Sequence, residues 1–137
     1  MSTGALVYIV DDDPPTLRAM TRLLSAYGYT VMAFDSPFEF LRAHNREAHG
    51  CVVADVVMPG LNGLEMLGAL KAQGCARPFV FVTGETDFPS AARALHVDAV
   101  AILTKPVEEA TLRSAIDEAI ECDLRARATA KTLDMLS

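Results

Sequence analysis

Apolar residues along this chain fall into short runs, and the runs alternate between two spacings. Continuous stretches rich in β-branched and aromatic residues span Ala5 to Val10, Thr30 to Phe34, Cys51 to Ala54, Phe79 to Val82 and Ala99 to Leu103. Unbroken apolar runs of this length, stopped by polar residues, read as strands buried on both faces of a sheet. Between them the apolar residues recur at helical spacing. Asp13 caps a helix with Pro14 at its first position, Leu17, Met20, Leu24 and Tyr27 on one face, and Gly28 as its stop. Ser36-Pro37-Phe38-Glu39 reads as a capping box opening a short helix through Leu41 and Arg42. Asn62 caps a helix carrying Leu64, Leu67 and Leu70 that ends at Gly74. Pro89 to His96 forms another short helix, and a long one runs from Val107 with Leu112, Ile116 and Ile120 on one face.

Strands alternating with helices through short connections specify an α/β fold: a doubly wound, five-stranded parallel sheet with right-handed crossovers. Such a sheet brings the carboxyl ends of its strands to one edge, where ligands bind. The residues that end the runs therefore converge: Asp11 and Asp12, Asp55, Thr83 and Lys105. Two adjacent acids and a third from another strand make an oxygen-rich cluster suited to Mg²⁺, which needs few protein ligands. Without a cation, such acids would repel strongly. Asp13 is a helix cap and nothing more. Thr83 taken alone is an ordinary strand residue. His44, His49 and His96 show no ligand spacing, so none is assigned a catalytic role.

Composition narrows the setting. The 137 residues fit one domain with its own core. The net charge is −6 and lysine occurs only at positions 71, 105 and 131, which argues against direct contact with nucleic acid. No apolar run reaches membrane-spanning length. Met1 to Ala5 has no basic export pattern, and Cys51, Cys75 and Cys122 read as reduced thiols, so a cytoplasmic location is expected.

The set Val10-Asp11-Asp12-Asp13, Asp55 followed by Met58-Pro59-Gly60, Thr83-Gly84 and Lys105-Pro106 resembles the receiver domain of two-component response regulators. Asp55-Val-Val-Met-Pro-Gly and Thr83-Gly-Glu-Thr-Asp bring it nearest to FixJ-like receivers. The resemblance spans Leu6 to about Leu124 and implies a flavodoxin-like (βα)₅ sheet of strand order 2-1-3-4-5. It implies that Asp55 accepts a phosphoryl group from a sensor histidine kinase or phosphotransfer protein. Asp11, Asp12, Asp55 and the Val57 backbone carbonyl would hold Mg²⁺, while Lys105 and Thr83 take phosphoryl oxygens. A cis Lys105–Pro106 bond is implied as well. The chain would catalyse its own phosphorylation and dephosphorylation only. Signalling would use the face of the fourth helix, fifth strand and fifth helix, including a homodimer through it.

Residues 1–125 are expected to form the receiver. Residues 126–137 are expected to be a helical tail, either dimerising or linking to an absent output domain. Three positions depart from the family pattern: Ile102 at the usual aromatic switch position, Val107 after Lys105-Pro106, and Asp98 for a glycine. A haloacid-dehalogenase-like phosphatase is disfavoured by Pro15 and by the lack of a late acidic pair. A flavin-binding module is disfavoured because the first strand lacks a hydroxyl- and glycine-rich phosphate loop.

Overall fold

The computed structural model describes residues 5–95 and 99–136. The order is β1 (Leu6–Val10), α1 (Pro14–Ala26), β2 (Thr30–Phe34), α2 (Pro37–Ala43), β3 (Gly50–Asp55), α3 (Gly63–Ala72), β4 (Phe79–Thr83), α4 (Phe88–Leu95), β5 (Ala101–Thr104) and α5 (Glu109–Leu136). All strand pairs are parallel, in the order β2-β1-β3-β4-β5. This is the expected doubly wound sheet. Its central strands are closed to solvent on both faces, which is why β1, β3 and β4 read as unbroken apolar runs. The edge strands β2 and β5 are more open.

Two cores follow from the two faces. Tyr8, Phe40, Met66, Leu70, Phe79 and Phe81 anchor the side covered by α2 and α3. Val7, Ile9, Leu24, Val53, Val80, Leu112 and Ile116 anchor the side covered by α1 and α5. The caps set the helix starts. Asp13 accepts from the amide and hydroxyl of Thr16, and Asn62 and Glu65 form a reciprocal capping box at 2.8 and 2.9 Å.

Local details differ from expectation at several places. Ser36 caps α2 through the amides of Phe38 and Glu39, but Glu39 turns to Arg42 instead of back to Ser36, so the box is half formed. α4 begins one residue early, at Phe88, because the Gly84 carbonyl accepts the Phe88 amide at 3.0 Å and starts the turn. The expected end of that helix at His96, and Asp98 in place of the family's glycine, lie outside the described residues. β5 runs from Ala101 rather than Ala99, following its register with Val80, and α5 starts at Glu109. No described helix is long and apolar enough to cross a membrane.

α5 continues without a break through position 125 to Leu136. Arg127, beyond the proposed domain boundary, still bonds to Asp123 and to the carbonyls of Arg46, Glu47 and Ala48.

Candidate functional site

β1 and β3 lie side by side, so the residues after Val10 and Ala54, partners in register, reach the same edge. Asp11, Asp12 and Asp55 each place a carboxylate oxygen within 4.8 Å of the others. Asp11 is buried, Asp55 half-buried and Asp12 exposed, so the cluster opens to solvent on one side. The Asp13 amide fixes Asp11 through Oδ1 at 2.9 Å. Asp55 accepts from the Val57 amide through Oδ1 at 3.1 Å and from Lys105 Nζ through Oδ2 at 2.8 Å. β5 delivers that lysine: the Lys105 amide donates to the Thr83 carbonyl at 2.8 Å, and the Lys105–Pro106 bond is cis.

The electrostatics follow from this geometry. Burial pushes the Asp11 pKa up, only partly opposed by the Asp13 amide and Lys105, and the charges of Asp55 and Asp12 push it further. Burial works against a charged Lys105, but the hydrogen bond and charge of Asp55 outweigh it and leave the ammonium's pKa raised. Lys105 therefore stays cationic. Hydrogen bonds from Thr16 hold Asp13 below the ordinary carboxyl range, as fits an exposed cap.

Thr83 ends β4 and is wholly buried, and its hydroxyl has no hydrogen-bond partner. An unpaired buried hydroxyl is costly, so Thr83 is poised to gain an acceptor. It makes no direct bond to the acid cluster. Val57 is exposed at 55%, its amide turned to Asp55. Ile102 stands beside Phe81 in the sheet, partly buried against the core. His44 and His49 lie before the start of β3, away from the cluster, with His44 stacked on Phe40. The sequence reading gave no role to Gly63 or Phe81, which meet behind Asp55. Only the unbroken apolar character of β4 hinted at Phe81.

Residues 7–117 match the family model of the response regulator receiver domain. The chain belongs to that family. Its receiver relatives include the transcriptional regulatory protein FixJ of Bradyrhizobium diazoefficiens, 40% identical over 88% of this chain and 58% of that protein. The response regulator protein TodT of Pseudomonas putida is 36% identical over 97% of this chain and 59% of its own length. Among solved structures, the response regulator StyR superposes with a TM-score of 0.90 at 35% identity, covering 98% of this chain and 68% of that one. Full-length FixJ from B. japonicum gives 0.83 at 37% identity, covering 98% and 66%. The receiver chain thus spans less than two thirds of the length of the curated relatives it matches.

Proposed function

We propose that this receiver takes a phosphoryl group onto Asp55 from a phosphohistidine of a sensor histidine kinase or phosphotransfer protein. The observation that carries the reading is the clustering of three carboxylates, one of which, Asp55, lies 2.8 Å from Lys105 Nζ. A single ammonium leaves such a cluster short of positive charge, and an all-oxygen donor set of this kind fits Mg²⁺. Asp11, Asp12, Asp55 and the Val57 carbonyl are the residues that would hold it. Bound there, Mg²⁺ supplies neutralisation of the phosphoryl oxygens.

The protein's own work is positioning. An Asp55 carboxylate oxygen attacks phosphorus, the P–N bond to the donor imidazole breaks, and the nitrogen keeps the electron pair. Lys105 exchanges its bond to Asp55 for one to a phosphoryl oxygen. The Thr83 hydroxyl donates to another, which supplies its missing partner with a charge-assisted bond. Hydrolysis of the aspartyl phosphate is the only other chemistry assigned to the chain.

The movement of Thr83 alters the α4–β5–α5 face, through which the receiver binds a second copy or another partner. With Ile102 in place of an aromatic ring, less of that change is passed on, since a branched aliphatic chain has few large alternative positions. Residues 1–125 act as the receiver and 126–137 as the tail that reports its state to an output domain, in the cytoplasm.

Acetyl phosphate with Mg²⁺ tests the assignment by intact-mass measurement. The wild-type chain is expected to gain one phosphoryl group and Asp55→Asn none. Equal labelling of both would move the nucleophile elsewhere.

A further inference from the structure

Gly63 is the first residue of α3, where the chain returns from the loop that follows Asp55. Its amide donates to the Val56 carbonyl at 2.8 Å, and it is buried. A Cβ at this position would lie 2.7 Å from Cε1 of Phe81, 2.8 Å from the carbonyl oxygen of Asp55 and 3.0 Å from Cα of Val56. The φ of Gly63 is not positive, so backbone conformation does not demand glycine here. Helix propensity favours alanine over glycine. Lack of space is the remaining reason for the glycine.

Two of the three crowding atoms are backbone at the end of β3, and the third belongs to a ring with little room to retreat. Phe81 is wholly buried and stacks on Phe79 with centroids 5.2 Å apart. In the sheet it stands between Ala54, the residue before Asp55, and Ile102. Two residues further along β4 comes Thr83, whose side chain leaves the same face of the sheet. One ring therefore adjoins the end of β3, the start of α3 and the strand carrying Thr83. In a close-packed interior, displacement of such a ring is felt by its neighbours.

We propose that Phe81 and Gly63 are positioning residues for Asp55. The ring edge against the bare Cα of Gly63 fixes the carboxyl end of β3, and so holds the Asp55 carboxylate in register with Asp11, Asp12 and Lys105. Neither residue touches the reacting groups; both act through the backbone at Asp55 and Val56. The proposal builds on the reading of this cluster as a Mg²⁺ and phosphoacceptor site.

The test is Mg²⁺ binding to the whole chain by titration calorimetry, alongside labelling by acetyl phosphate across a range of Mg²⁺ concentrations. Gly63→Ala is expected to weaken Mg²⁺ binding about tenfold, and Phe81→Leu, which removes the ring edge, about threefold. Labelling should slow more at low than at saturating Mg²⁺. In the double variant leucine relieves the new methyl on the ring side only, while the Asp55 carbonyl and Val56 Cα still crowd it, so the combined loss should be smaller than the product of the two single losses. Wild-type affinity in Gly63→Ala, or losses that simply add in the double variant, would overturn the proposal. If Gly63→Ala does not fold, Phe81→Leu and Phe81→Met carry the test, and unchanged Mg²⁺ affinity in both would overturn it. Labelling that survives in Asp55→Asn defeats the phosphoacceptor reading instead, and leaves the calorimetric comparison to stand separately.

Discussion

At its first residue β3 is bound from several sides, whereas at its last residue it opens onto unbalanced charge. The Gly50 amide donates to Asp123 Oδ2 at 2.8 Å, and the same oxygen accepts Arg127 Nε at 2.8 Å. Arg127 also reaches the carbonyls of Arg46 and Ala48 at 3.1 and 2.9 Å. Arg77 donates to the Asn45 carbonyl at 2.7 Å and lies over the Tyr8 ring, though its Nε and Nη1 are buried without partners. Five residues along the strand, Asp55 is bonded to one ammonium beside two other acids, and the nearby Thr83 hydroxyl has no partner. One edge ties its backbone and carboxylate groups together from within, although buried nitrogens of His44, His49 and Arg77 have no partner there. The other gathers three acids about one ammonium, an arrangement of like charges that works against the fold.

The sharpest way to break this contrast is to cut the closed edge. Asp123→Ala strands the buried Gly50 amide and takes one of several partners from Arg127, and should cost about 2 kcal/mol in urea unfolding. Phosphoryl labelling of the folded fraction should be unchanged. A loss under about 1 kcal/mol would show that this edge is held by packing alone.

A smaller effect of opposite sign is expected at the open edge. The Asp11 pKa is raised on folding, chiefly by burial, so its ionised form weakens the fold, increasingly as pH rises past the ordinary carboxyl value. Asp11→Asn removes that burden and should leave stability at pH 7 unchanged or up to about 1 kcal/mol higher without Mg²⁺. Added Mg²⁺ should then stabilise the variant far less than the wild type, as thermal unfolding would register. Equal Mg²⁺ stabilisation in both would remove Asp11 from the metal site.

The smallest predicted effect belongs to the residue after Gly50. Burial pushes the Cys51 thiol up to about 12 from an ordinary value of 9.0. Folding therefore favours the protonated thiol: its contribution is fully present below pH 9 and is lost as pH rises toward 12. Cys51→Ala should show a shallower decline in stability across that window than the wild type. Parallel declines would place the alkaline sensitivity in other groups, Tyr29 among them, which burial and Asp117 raise to about 12.

How much of this was legible in the sequence depended on the range of the interaction. Asp11, Asp55, Thr83 and Lys105 could be read because each ends a strand or directly follows one, and a parallel sheet carries strand ends to one place. Asp13 and Asn62 could be read because a cap and its amides are three residues apart. The closed edge could not be read this way. Asp123 and Arg127 look like an ordinary charged pair on a helix, and their other partners, Gly50 and the carbonyls of Arg46 to Ala48, lie more than seventy positions away. Gly63 was hidden for a related reason: its demand comes from Phe81 on another strand. The capping box at Ser36 failed on a local competition, since Arg42 offers Glu39 an opposite charge one turn along the same helix.

The unbroken course of α5 has a mechanical consequence. From Arg127, its last described attachment to the carbonyls before β3, to Leu136 the helix projects about 13 Å at 1.5 Å per residue. Ala130 and Asp134 on this stretch still share a cavity with Arg46 and Gly74, so a tilt of α5 would bear on the segments before β3 and after α3 together. A tilt of about 10° at Arg127 would carry Leu136 about 2 Å.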